Sequence, residues 1–248
     1  MPLQSALPGV WQIPASIRSR VGDSAGRQRV IFEESHLLLV LHHPPQAGDM
    51  QRHGRFLWRR PDGQWTSNDG GDGPAVLAKH LDDYAKSITR FDQLEEKAST
   101  ADEYFVVIEG LLPLIRSTSH LHQVLQEARK LIPDDRGLIN ARDQAYELER
   151  TVDLLYSAAK NGLDFEVAKK AGEEARSSRN MARSAHRLNI LAAFFFPLAT
   201  ASSVLGMELE TARETWLQAA TVVAAGLLGG SLLALFVARN GRSNQSNP

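Results

Sequence analysis

The chain has no cysteine among its 248 residues. That excludes disulfides, thiolate nucleophiles and zinc–thiolate sites. It also lacks a charge excess, with a formal net charge of −1. A nucleic-acid partner is therefore not expected, because such partners select basic surfaces. No Gly-rich phosphate loop, nucleophile elbow or paired catalytic carboxylate appears in the sequence, so no enzyme is expected. The histidines at 36, 42, 43, 53, 80, 120, 122 and 186 show no metal-ligand spacing beyond His120-x-His122. The opening "MPLQSALPGVWQIP" has prolines and no apolar core of useful length, so no cleaved signal peptide is expected.

Long apolar runs are absent up to about residue 187, and then two follow. Leu188 to Met207 is 20 residues without a charge, and Trp216 to Ala238 is 23 more. About 20 apolar residues in a helix cross a hydrocarbon layer of roughly 30 Å. The alternative is a buried helical hairpin in a soluble fold. Lys169, Lys170, Arg176, Arg179, Arg183 and Arg187 precede the first run, and Arg239 and Arg242 follow the second. Between the runs, "ELETARET" sets Glu208, Glu210 and Glu214 against Arg213. Basic flanks stay on the cytoplasmic side, so both termini are expected there. Trp216 suits an interfacial anchor. Gly226-x-x-x-Gly230 and Ala225-x-x-x-Gly229 fit a close helix–helix contact better than an ion path.

Upstream, residues 28–67 carry β-rich runs. Within them "RFLWRRPDGQWTS" centres a hairpin on Pro61-Asp62-Gly63. "SNDGGDGP" reads as a loop. It lacks the ligand spacing and final glutamate of an EF-hand. From Pro74 the period turns helical, with Leu77, Leu81, Tyr84, Ile88, Phe91 and Leu94 three or four apart. A second helix is expected over about Ala101–Leu131 and a third from near Gly137, capped by Asp134 or Asp135. Leu148, Val152, Leu155 and Ala159 continue its seam, and Asn161-Gly162 is a possible kink. Farther on, Ala171, Ala175, Ser178, Ala182 and Ala185 repeat at 4-3-4-3. That is either a weak amphipathic face or a close-packed seam of converging helices. The pairs Asp82-Asp83, Glu95-Glu96 and Asp134-Asp135 read as solvated faces and caps, with a regulatory cation site as the alternative.

The segment "LNILAAFFFPLATASSVLGMELE" resembles the first membrane helix of the CorA magnesium transporter family. That family carries a Phe/Leu-Pro-Leu-Thr core and then Gly-Met-Asn. Phe196, Pro197, Leu198, Gly206 and Met207 stand at matching positions. The likeness is firm over about residues 160–240 and architectural over 28–135. It implies a mostly α, α+β protein with a small cytoplasmic sheet, a long helical stalk and two C-terminal transmembrane helices. The expected parts are a β-rich segment (1–74), cytoplasmic helices and stalk (75–187) and a first span (188–207). An outer loop (208–215), a second span (216–238) and a cytoplasmic tail (239–248) follow. The resemblance further implies a homopentamer in the cell (inner) membrane, with no cofactor other than a divalent cation such as Mg²⁺ as cargo and possible regulator.

This chain departs from the family at position 208, where Glu stands for Asn. Gly206, Met207 and Glu208 are the expected metal-handling mouth. Leu188, Ala192, Phe196, Ala199 and Ser203 are the expected pore-lining face, reached by counting back in helical steps. A carboxylate ring is one way to build a cation filter. Crowded like charges also raise one another's pKa. Two readings stay open: a divalent-cation channel for Mg²⁺ or for Co²⁺, Ni²⁺ or Zn²⁺, or a degenerate, non-conducting scaffold.

Overall fold

A computed structural model describes residues 6–46, 49, 52–71, 75–208 and 216–243. The side chains of 198, 201, 204–208, 216–219, 222 and 239–243 lie outside that description. The chain divides into two units, Met1–Ala168 and Lys169–Pro248.

The first unit opens with a short helix, α1 (Ala15–Arg18), and an antiparallel sheet in the order β1-β2-β3-β4. Its strands are β1 (Arg29–Glu33), β2 (His36–His42), β3 (Gly54–Arg59) and β4 (Trp65–Ser67). The β3–β4 turn falls on Pro61-Asp62-Gly63, as its sequence predicts. The Arg60 N–H donates to the Gln64 carbonyl at 2.9 Å, and Gly63 takes φ +86°. The β1–β2 turn carries no such signal. Glu34 and Ser35 make it with φ of 51° and 62°, a left-handed pair without glycine. Such residues cost on the order of 1 kcal/mol each.

Strand β2 reads "HLLLVLH" because both of its faces are covered. Leu37, Leu39 and Leu41 join Leu57 in a core shared with the helices. Leu38 and Val40, with Ile31, Phe56 and Trp58, pack under the N-terminal segment through Leu7, Trp11, Ile13, Ile17 and Val21. A sheet buried on two sides loses the apolar–polar alternation of a half-exposed one. That second layer was not expected from the sequence, where residues 1–27 carry no periodic signal.

Helices α2 (Ala75–Lys97), α3 (Ala101–Leu131) and α4 (Arg136–Glu208) follow. Thr100 caps α3 in a reciprocal box with Glu103. Asp135, rather than Asp134, caps α4, its Oδ1 accepting the Leu138 N–H at 3.1 Å. In the first unit α4 buries Leu138, Ala141, Ala145, Leu148, Val152, Leu155 and Ala159, at steps of three or four. The helix runs through Asn161-Gly162 without interruption. Gly162 serves close approach instead: a Cβ there would stand 2.5 Å from the Tyr104 ring.

The second unit comprises α4 from Lys169 onward and α5 (Trp216–Ser243). Among the described residues, no helix is long and apolar enough to cross a membrane. The two expected spans are thus not among what the described residues display. Both uncharged runs include side chains outside that set.

Candidate functional site

The second unit holds the residues the sequence nominates. Pro197 lies inside α4, and its missing N–H leaves the Ala193 carbonyl without its i+4 donor. Thr200 Oγ1 donates to the next carbonyl, Phe196 O, at 2.9 Å. His186, Ile190, Ala193, Phe194 and Pro197 are half-buried and form one side of the helix. Helix α5 meets that side through Gly230, where a Cβ would stand 2.6 Å from the Phe194 carbonyl oxygen. The small residue is thus required by backbone approach, as small-residue spacing predicts. Gly229 has nothing within 4 Å.

Leu188, Ala192, Phe196, Ala199 and Ser203 are all exposed. At 100° per residue they fall within about 80° of arc, roughly 140° away from the half-buried side. Leu188 is 66% exposed and Phe196 75%. The phenylalanine triplet splits accordingly. Phe194 is half-buried with its backbone against Gly230 of α5, while Phe195 and Phe196 stay exposed. Gly206, Met207 and Glu208 are the last three residues of α4. Their side chains, and the acidic loop beyond them, lie outside the described residues. The alanine seam from Ala171 to Ala185 is exposed along its length, as are its flanks.

The first unit holds a polar cluster that sequence reading missed. Arg55, on the helix-facing side of β3, is buried. Its Nε donates to Asp69 Oδ2 at 2.7 Å and its Nη1 to Asp83 Oδ2 at 2.8 Å. Nη1 also lies 3.1 Å from His80 Nδ1, and Nη2 lies 3.2 Å from His43 Nδ1. An arginine has no acceptor, so both imidazoles receive at Nδ1. Burial, and then the Arg55 charge, pushes His80 well below the usual histidine range, and the same two causes lower His43. Next to them Tyr84 is pushed up to about 12 by burial, its hydroxyl against Ser117 Oγ and the His42 carbonyl. Four residues along β3, Arg59 reaches Asp135 at 2.8 Å at the start of α4.

This cluster separates the members of one acidic pair. Asp83 is the buried arginine's partner, whereas Asp82 pairs with exposed Lys86. Among the described residues no group of three histidine or acidic side chains could hold a metal ion. The guanidinium occupies the point on which His43, Asp69, His80 and Asp83 converge. His122 pairs with Glu149 of α4 at 2.6 Å through Nδ1. A buried arginine inside "GRFLWR" is the one signal that could have exposed the cluster, since such a charge demands partners.

Among the solved structures that resemble the chain are the following two. One is the complete structure of the CorA magnesium transporter from Methanocaldococcus jannaschii, at 12% identity, over 88% of this chain and 80% of that one, with a TM-score of 0.42. The other is the full-length CmaX protein, at 15% identity, over 87% and 77%, with a TM-score of 0.42. No family model matches the chain. No curated protein matches it either.

Proposed function

We propose that the chain is a CorA-like membrane protein that assembles with copies of itself, as a pentamer, and passes divalent metal cations, with Mg²⁺ as the leading candidate. The first span, residues 188–207, lines the path, and the second, 216–238, packs behind it. Glu208 rings the outer mouth beside Gly206 and Met207. Both termini lie on the cytoplasmic side of the cell membrane. The support is the sequence likeness from Leu188 through Met207 and one structural observation. The two helices of the second unit leave Leu188, Phe195, Phe196, Leu228, Leu232 and Phe236 more than half exposed. Water-soluble monomers rarely carry contiguous apolar surface of that kind. Lipid on one side and neighbouring copies on the other would cover it.

In this reading the face from Leu188 to Ser203 bears no charge, with hydroxyls near the outer end and apolar rings farther in. Leu188 and Phe196 would form constrictions that gate by dewetting. A ring of Glu208 carboxylates would gather cations at the mouth, where the family has neutral amides. Voltage adds roughly 2.3 kcal/mol per charge per 100 mV to inward cation movement.

Reconstitution in liposomes loaded with a Mg²⁺-sensitive dye tests the proposal. Wild type is expected to conduct Mg²⁺, Co²⁺, Ni²⁺ or Zn²⁺, and Glu208→Ala to conduct at least about 10-fold less. A silent wild type beside a conducting Glu208→Asn would replace this reading with the scaffold one. A monomeric mass in detergent would remove the pore altogether.

A further inference from the structure

A cavity on the opposite face of the sheet from Arg55 belongs to none of this. It lies within the first unit, between the N-terminal segment and the β3–β4 turn, and measures about 570 Å³. Pockets of that size accept small organic ligands. Trp11, His36, Trp58 and Arg60 give it its chemistry.

Its polar side chains are Gln12, His36, Arg60 and Asp62 with the two indoles, and the one cation among them is Arg60. The Arg60 guanidinium lies over the Trp58 indole, 5.0 Å from the ring centroid. Arg60 Nε is buried without a hydrogen-bond partner. His36 stacks on Trp58 at 5.7 Å and 22°. Trp58 Nε1–H donates to His36 Nδ1 at 3.2 Å. That bond fixes the ring proton on Nε2, which has no partner among the described residues. Trp11 tilts against Trp58 at 5.7 Å. The turn that delivers His36 is the strained Glu34-Ser35 pair. The carboxylate at the rim, Asp62, is exposed and already accepts the Gln64 N–H at 3.0 Å. Asn and Gln present an acceptor beside every donor, but a guanidinium and an Nε2–H imidazole together ask only for oxygen lone pairs.

We infer that this pocket binds a small organic anion, its carboxylate or phosphate held by Arg60 and His36 Nε2–H and its flat apolar body laid against the tryptophan edges. The shared chemistry is an oxyanion on a planar body. Carboxylate and phosphate are separated by experiment.

The test uses full-length protein in detergent and calorimetric titration with benzoate, phenyl phosphate and the uncharged isostere benzamide. Saturable binding of benzoate or phenyl phosphate in about the millimolar range is expected, with benzamide at least about 10-fold weaker. The tighter of the two anions assigns the headgroup. Arg60→Gln is expected to weaken the anion by about 10-fold, and Arg27→Gln, an exposed arginine elsewhere, to leave it unchanged. His36→Phe keeps a ring on Trp58 and removes Nε2–H, so it reads the same loss if Arg60→Gln fails to fold. Three results would overturn the inference: no saturable anion binding up to about 20 mM, benzamide binding as tightly as benzoate, or Arg60→Gln and His36→Phe both binding like wild type.

Discussion

Helix α4 is two different helices joined end to end. From Leu138 to Ala159 it buries a residue at every third or fourth position. From Lys169 to Ser203 no described side chain is buried, and from Lys169 to Ala185 every one is exposed. Isolated helices are marginal in water even when their propensity is good, because tertiary packing supplies most of their stability. The first half finds its packing within the chain. Among the described residues, the second half meets only α5 within the chain, along the side of Phe194 and Pro197, and keeps the rest of its described surface exposed. The same sequence logic, small and apolar residues at helical spacing, gives a buried seam in one half and an exposed face in the other.

The largest effect separating the halves lies at Arg55. Arg55→Ala removes the buried charge that draws β3, the loop after β4 and α2 together. Losing one side of a buried ion pair costs about 3–5 kcal/mol. Asp69 and Asp83 are roughly a third exposed and can regain water. The lower end, about 3 kcal/mol, is therefore expected, as a drop in the denaturation midpoint of the first unit. A Leu228→Ala control, at a site already two-thirds exposed, should leave that midpoint in place. Equal losses at the two positions would erase the contrast between the units.

Gly230 and Gly229 sharpen the comparison inside the second unit. A side chain at Gly230 collides with the Phe194 backbone, whereas one at Gly229 enters open space. Gly230→Leu is expected to cost about 1–3 kcal/mol by overpacking and to separate α5 from α4. Spin labels at Leu191→Cys and Leu233→Cys read the separation, with no native cysteine to interfere. Gly229→Leu should leave the label distance unchanged. If instead Gly229→Leu alone abolished oligomerisation, that open side would be the one that meets another copy.

Acid should act on the first unit through its buried histidines. His80 and His43 have pKa values lowered in the fold, so the unfolded chain binds protons first as pH falls below about 6.5. Where the unfolded state holds more protons, stability falls with pH. No loss is expected above pH 7, and below about 6.5 a slope of up to about 1.4 kcal/mol per pH unit is expected from buried His80. His80→Gln should flatten the slope, seen in urea midpoints between pH 7 and 5. A slope unchanged by that substitution would place the acid sensitivity elsewhere.

Much of this was open to sequence reading wherever one period dominated. The hairpin at Pro61-Asp62-Gly63 and the helical runs from Leu77, Ala101 and Leu148 declare themselves through spacing. The N-terminal cover over Leu38 and Val40 does not, because Leu7, Trp11, Ile13 and Ile17 follow no single period. Arg55 was hidden for another reason. Its partners lie 12 to 28 residues away in sequence, at His43, Asp69, His80 and Asp83, and charge spacing along a chain cannot announce a meeting across a fold. The face expected to line a pore was legible as a face through its spacing. Its residues do lie on one exposed side, but spacing does not say what covers them.

The smallest difference is the most local. Asp82 and Asp83 are neighbours on α2 and look equivalent in sequence. Successive helical residues point about 100° apart, which is enough to send one to Arg55 and the other to water. Asp82 meets Lys86 in an i,i+4 pair with both side chains more than half exposed. Solvent screens such a pair, and holding two long side chains together offsets the attraction. Asp82→Asn should therefore leave the denaturation midpoint unmoved within error. Asp83→Asn should lower it measurably, because a neutral amide replaces the carboxylate that meets a buried guanidinium at 2.8 Å. Charge-assisted bonds of this kind are worth roughly 1.5–3 kcal/mol, and the partial exposure of Asp83 points to the lower figure. If both substitutions moved the midpoint equally, burial at Arg55 would not be what distinguishes the two aspartates.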